Sequence, residues 1–202
     1  MRFWTSWARK VLEFEEDGHV YSYGGKVIPS VTQILDPIKG YDGIPEHIMR
    51  TASERGTEVH RITELYDYGT LVDYDRDLAG YLDAWIAFLA LTGFEMLVSE
   101  ARMFDETLGY AGTVDRIGTC NKKNILLDIK TTYKFMPSVG PQTAAYQRLW
   151  DAKQPGEKIN ERWSVRLMPD GKFERKILKS PSDFNVFNSC LNIWRWRESN
   201  GS

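Results

Sequence analysis

Two apolar runs in the middle of the chain end in charge. The first carries Gly112, Val114 and then Asp115; the second ends in Asp128-Ile129-Lys130, thirteen residues further on. Strands deplete aspartate, and burying an unpaired carboxylate is costly, so acids here need a reason. If the two runs pair as strands, two carboxylates and an amine project close together. Two carboxylates make a site for Mg²⁺ or Mn²⁺, and a lysine beside them can position or activate a water. That is the equipment for metal-assisted hydrolysis of a phosphodiester. The bland counterpart is a structural ion pair of Lys130 with either acid. The strand context and the preceding Gly112-x-x-Asp115 favour a site.

Other residues extend this centre. Glu100 lies in the preceding strand-like run and can reach the same metal or its water; the alternative is a surface pair with Arg102 or Arg116. His60 offers an imidazole to a divalent ion, and Glu64, one turn on, is placed to orient it. A lone helical histidine is otherwise an ordinary polar residue. His19 and His47 lack a comparable setting. Gln142 and Tyr146 share one face of a helix, where glutamine can bond a base or phosphate and tyrosine can stack. The plain alternative makes Tyr146 core and Gln142 a first-turn cap. Lys134 and Arg148 are either phosphate contacts or solvated charges.

The elements that must position these residues are legible in outline. Leu12–Phe14 and Val20–Tyr23 flank Asp17-Gly18 as a hairpin, and Gly24-Gly25 turns toward Val27-Ile28. Ser30 caps a short helix over Val31–Leu35. Pro45 starts a longer helix, with Gly56 as a point of interruption and Gly69 as its end. Asp77–Leu91 reads as an amphipathic helix with Leu78, Leu82, Trp85 and Leu89 in a stripe, stopped by Gly93. Strands follow over Met96–Phe104, Ala111–Ile117 and Ile125–Ile129. A helix from Gly140-Pro141 to Trp150, a hairpin of Trp163–Met168 with Phe173–Leu178, and a helix from Ser182 to Arg197 complete the chain. The order predicts an α/β or α+β domain, a mixed central sheet flanked by helices. The last residues, Ser199 to Ser202, read as a loose tail.

Composition bounds the rest. The 202 residues suit one domain with one core, so residues 1–202 are read as a single unit. No apolar run has the length of a membrane span, and the basic start, Met1–Lys10, lacks the apolar stretch of a secretory signal. With only Cys120 and Cys190 and no CxxC, a cysteine-built zinc or iron–sulfur site is not expected. Two free thiols fit a cytoplasmic protein. The net charge of −2 argues against a general polyanion binder, but the charge is unevenly spread. Residues 1–120 carry a balance of −9 and residues 121–202 a balance of +7. A basic half beside an acidic one fits a nucleic-acid track next to a metal site, or charges that neutralise across the fold.

In this order the residues resemble the PD-(D/E)xK nuclease superfamily, and more closely its RecB-like exonuclease branch. The matching pattern is Gly56-x-x-x-His60, Glu100, Gly112-x-x-Asp115, Asp128-Ile129-Lys130 and Gln142-x-x-x-Tyr146. Each piece is weak; five in order at plausible spacing are strong. Val27–Thr32 is also similar to the opening segment of phage and mitochondrial members, and the match covers roughly residues 20–150. The resemblance implies a restriction-endonuclease-like core and one or two Mg²⁺ or Mn²⁺ ions. Asp115, Asp128 and the Ile129 carbonyl would be ligands, with His60 and Glu100 completing the shell. Lys130 would orient or deprotonate the attacking water, and Gln142 and Tyr146 would hold DNA. It implies a DNA exonuclease acting on single- or double-stranded ends, in phage or bacterial recombination, repair or replication. A phage-encoded member would work in the cytoplasm of the bacterial host, as a homo-oligomer or with a phage recombination partner. The other readings are an endonuclease of the same superfamily and a DNA-binding or assembly subunit with a degenerate site. Two cysteines exclude the four-cysteine cluster of the CRISPR-associated subgroup.

Overall fold

The computed structural model describes residues 11–16, 18–40 and 43–201. The basic segment 1–10, Asp17 at the expected hairpin turn and Ser202 of the expected tail lie outside the described residues. The first hairpin pairs β1 (Leu12–Glu15) with β2 (Val20–Tyr23), Leu12 opposite Tyr23. Gly24 and Gly25 both take left-handed φ, which lets the chain reverse tightly into β3 (Lys26–Ile28). Ser30 then closes a capping box with Gln33, each side chain accepting the other's backbone N–H, and starts α1 (Val31–Ile34).

Helix α2 (Glu46–Asp67) runs unbroken through Gly56, against the expected interruption. One helical glycine costs only about 1 kcal/mol relative to alanine. Burial of Val59, Ile62 and Thr63 along the same helix outweighs that. Gly69, at φ 66°, ends it as expected. Helix α3 (Ala79–Thr92) buries one side, as expected: Tyr81, Leu82, Ala84, Trp85 and Phe88 are buried, while Asp83, Ala87, Ala90 and Leu91 on the opposite side are exposed.

The central sheet has the order β4 (Glu95–Asp105), β5 (Tyr110–Cys120), β6 (Lys123–Lys130), β7 (Glu161–Leu167), β8 (Phe173–Leu178). Only β6 and β7 are parallel, joined by the crossover helix α4 (Val139–Lys153); the other neighbours are antiparallel. The last helix is α5 (Asp183–Asn200), which takes in Ser199 and Asn200 against the expected loose tail. This is the mixed α+β architecture expected, a five-stranded mixed sheet between helical layers. Strand β6 is buried on both faces and alternates between two cores. Ile125, Leu127 and Ile129 pack with Val59, Trp85 and Phe88 of α2 and α3, while Leu126 packs with Val31, Tyr146 and Phe187 of α1, α4 and α5. No helix among the described residues is long and apolar enough to cross a membrane.

One irregularity in the sheet matters most. The β5–β6 ladder runs from Cys120 opposite Lys123 to Arg116 opposite Leu127 and stops, one step before Asp115 and Asp128. Beyond that point β6 stays with β7 as far as Lys130 opposite Arg166. The freed edge of β5 is taken by the N-terminal segment: the Ala111 N–H donates to the Pro29 carbonyl at 3.0 Å, and the Tyr21 hydroxyl meets Thr113 Oγ1 at 2.6 Å. Gly112 lies on this freed stretch, under the Tyr146 ring of α4. A Cβ there would fall 2.5 Å from Tyr146 Cε1 and 3.2 Å from Val31 Cγ2. Gly112→Ala is therefore expected to lose about 1–3 kcal/mol by overpacking, read as a lower urea midpoint. An unchanged midpoint would show that the Tyr146 ring can move aside.

Candidate active site

Where β5 and β6 part, the main-chain groups of Ile129 lose the β5 ladder, and buried backbone groups need partners. Two side chains supply them. Asp115 Oδ2 accepts the Ile129 N–H at 2.6 Å, and His60 Nε2 lies 3.1 Å from the Ile129 carbonyl. A carbonyl can only accept, so Nε2 carries the hydrogen and Nδ1 is left to face the site. Nδ1 lies 3.7 Å from Asp115 Oδ1 and 3.8 Å from Glu100 Oε1. Burial alone would lower the His60 pKa, but the Asp115 and Glu100 carboxylates outweigh it, and the net direction is upward.

Glu100 reaches this point by an unusual backbone. Ser99 pairs with Arg116 and Ala101 with Val114, so Glu100 falls opposite Asp115, yet it takes a left-handed φ of 47°. That conformation is strained for a residue with a side chain, and such strain gathers at functional sites. Its Oε1 is buried without a hydrogen-bond partner, 3.5 Å from Arg116 Nη1. Arg116 itself is fully buried. It donates to Asp67 Oδ2 at 2.8 Å, to the Asp115 carbonyl at 2.7 Å and to Thr63 Oγ1 at 3.3 Å. Trp85 Nε1 holds the other Asp67 oxygen at 2.8 Å. Burial pushes the Asp67 carboxyl up, opposed by its bonds to Arg116 and Trp85.

Asp128 and Lys130 form the other half. Lys130 Nζ is 2.6 Å from Asp128 Oδ1, and the Ser164 hydroxyl donates to Asp128 Oδ2 at 2.9 Å. Ser164 stands beside Asp128 in the parallel register of β7. Burial raises the Asp128 carboxyl, with Lys130 opposing and Asp115 adding to the rise.

The structure therefore brings His60, Glu100 and Asp115 into one group whose ligand atoms all lie within 4.8 Å of one another. Asp128 stands outside that group, held by Lys130 and Ser164, and the Ile129 carbonyl faces His60. One imidazole nitrogen and two carboxylates, with an orphaned buried oxygen among them, fit a hard divalent cation such as Mg²⁺ or Mn²⁺. Glu64 does not orient His60: it accepts from Ser99 Oγ at 2.6 Å, and the Ile129 carbonyl takes the orienting part. Gln142 Nε2 donates to the Tyr146 hydroxyl at 3.2 Å. The Tyr146 ring is buried, and Gln142 lines a small cavity with Lys130, Thr132 and Ser138. Lys134 is exposed on the loop after β6. Arg148 is held further along α4 by Asp105 at 3.1 Å, over the Phe184 ring.

Sequence reasoning passed over three supporting residues. Arg116 entered only as a surface partner for Glu100, although a charge between Val114 and Ile117 in a buried strand signals an internal pair. Asp67 and Ser164 carry no local signal; they matter through the residues they meet across the fold.

No protein-family model matches the chain, and no curated protein matches it in sequence. Among solved structures, it is similar to a candidate exonuclease from Eubacterium rectale, with TM-score 0.45 and 14% identity over 75% of this chain and 68% of that one. It is similar also to an alkaline exonuclease from Laribacter hongkongensis, with TM-score 0.41 and 10% identity over 85% and 88% of the two chains. That enzyme in complex with dAMP gives TM-score 0.39 and 12% identity over 86% and 89%. Likeness at this level carries no weight for activity.

If His60, Glu100 and Asp115 hold an ion, Mn²⁺ must stabilise the fold. At a concentration a hundredfold above Kd the gain is about 2.7 kcal/mol. A thermal melt is expected to show it as a higher Tm that EDTA reverses and that Glu100→Gln lacks. A full shift in Glu100→Gln would remove Glu100 from the ion-binding set.

Proposed function

We propose that this chain is a nuclease that uses a divalent metal ion to hydrolyse phosphodiester bonds from DNA ends. The observation that carries this reading is the convergence of His60 Nδ1, Glu100 Oε1 and Asp115 Oδ1 at the point where β5 and β6 separate, beside the Asp128–Lys130 pair. The choice of DNA, and of ends, rests on the resemblance of the ordered motifs to RecB-like exonucleases.

A divalent ion held by His60, Glu100 and Asp115 would supply Lewis acidity toward the phosphate and lower the pKa of a water. The chain's own residues prepare the ground for it. The Ile129 carbonyl fixes the imidazole tautomer, so that a lone pair and not a hydrogen faces the carboxylates. The Ile129 N–H occupies one oxygen of Asp115 and leaves the other for the site. Arg116 balances the charge of Glu100 from below. Ser164 and Asp128 hold the Lys130 amine at the end of β6, where it can orient the attacking water and steady negative charge developing on the phosphate.

Mg²⁺-dependent degradation of end-labelled linear DNA, compared with covalently closed circles, tests the reading. Loss of the linear substrate with intact circles is the expected result. Equal cutting of circles would make the protein an endonuclease, and no cutting of either would leave a DNA-binding or assembly subunit. Asp115→Ala and Lys130→Ala are each expected to lower the rate by about 10²-fold or more while the fold persists. Full activity in either variant would sink the assignment of that residue.

A further inference from the structure

Residues 131–138 connect β6 to α4, directly after Lys130. Two of its carbonyls, those of Thr131 and Tyr133, are held from outside the segment. The Arg55 guanidinium reaches the Thr131 carbonyl at 3.5 Å, and α2 approaches Thr131 closely at Gly56. Thr132 Oγ1 donates to the Lys134 carbonyl at 2.9 Å. Arg166 Nη1 donates to the Tyr133 carbonyl at 3.0 Å, and Arg166 is itself gripped by Glu174 through Nε and Nη2. Arg166 lies beside Lys130 in the β6–β7 register, so this bond ties the Tyr133 backbone to the end of the strand that carries Lys130.

From this anchored backbone the Tyr133 side chain stands out almost completely, 94% exposed. It makes no hydrogen bond or ring contact among the described residues. A single exposed aromatic on a surface means little. Here the ring is carried by a main chain anchored at its carbonyl, within roughly 10 Å of Lys130 along the backbone, and is followed by the exposed Lys134. An aromatic face beside a cation is how proteins hold single-stranded nucleic acid without reading its sequence: the base stacks and the amine meets the backbone. Tyr146 cannot serve, because its ring is buried under α4. The anchored main chain matters because only the two side-chain torsions of Tyr133 remain to be ordered when a base lands on the ring.

We propose that Tyr133 is the stacking platform for a base of the DNA strand entering the site, with Lys134 beside it toward the phosphates. The proposal rests on the nuclease reading above, and its test separates the two. The measurements are KM and kcat on a single-stranded oligonucleotide with Mg²⁺, and the Kd of the same oligonucleotide by fluorescence anisotropy in EDTA. Tyr133→Ala is expected to raise KM and Kd about tenfold or more, with kcat little changed, and Tyr133→Phe is expected to match the unaltered protein. An abasic nucleotide moved through the first few positions should reproduce the loss at one position in the unaltered protein and add nothing in Tyr133→Ala. Unchanged KM and Kd in Tyr133→Ala, in a protein that cleaves, would overturn the stacking role alone. So would a Tyr133→Phe variant as weak as Tyr133→Ala, since that points to the hydroxyl. If the unaltered protein neither binds nor cleaves any DNA, the nuclease reading falls with it.

Discussion

The site depends on the main-chain N–H and carbonyl of Ile129. Strand β6 leaves β5 one residue before Asp115 and Asp128 would meet, and that separation strips Ile129 of its β5 partners. Buried backbone groups are costly to leave unpaired. Asp115 takes the N–H and His60 takes the carbonyl, so the main chain of one residue orients an acid from β5 and an imidazole from α2 at once. The N-terminal segment makes the separation affordable by pairing with the exposed stretch of β5 through Pro29, Ser30 and Tyr21. The first hairpin is thus a structural condition of the site, although it contributes none of the three clustered groups.

Gathering carboxylates around one point creates repulsion, and the surrounding charges show how it is contained. Arg116 lies under Glu100 and is itself balanced by Asp67, which Trp85 holds from the other side. A buried ion pair of this kind offsets its desolvation only when the remaining donors and acceptors are satisfied. Each of the three guanidinium nitrogens donates one hydrogen bond, to Asp67, the Asp115 carbonyl and Thr63. Asp128 is handled separately, by Lys130 and Ser164. What remains without a hydrogen bond is the Glu100 oxygen that faces His60, which Arg116 approaches only to 3.5 Å, and a cation there would complete its contacts.

Much of the fold was legible. The change from helical to strand periodicity after Gly93, the turn at Gly24-Gly25 and the Ser30 cap all act through local backbone preference, which a sequence displays directly. The misreadings were of a different kind. Gly56 does not break α2, because packing of Val59 and Ile62 outweighs a local preference. Ser199 and Asn200 belong to α5 and not to a loose tail, because the helix runs on past Arg197. In the site, Asp115, Glu100 and His60 stood out as polar residues in apolar or helical settings. Nothing local showed that Asp128 would turn to Ser164, that Glu64 would turn to Ser99, or that Arg116 would sit beneath the cluster.

The sequence by itself determined which strands and helices form and which side chains can act as ligands, since periodicity, caps and residue chemistry are properties of short stretches. The tertiary structure alone decided which ligands meet. The left-handed turn at Glu100, the parting of β5 from β6, and the choice of His60 nitrogen all depend on contacts between residues far apart in the chain. A hydrogen bond between α2 and β6 is decided by packing, and no spacing of residues within either element encodes it.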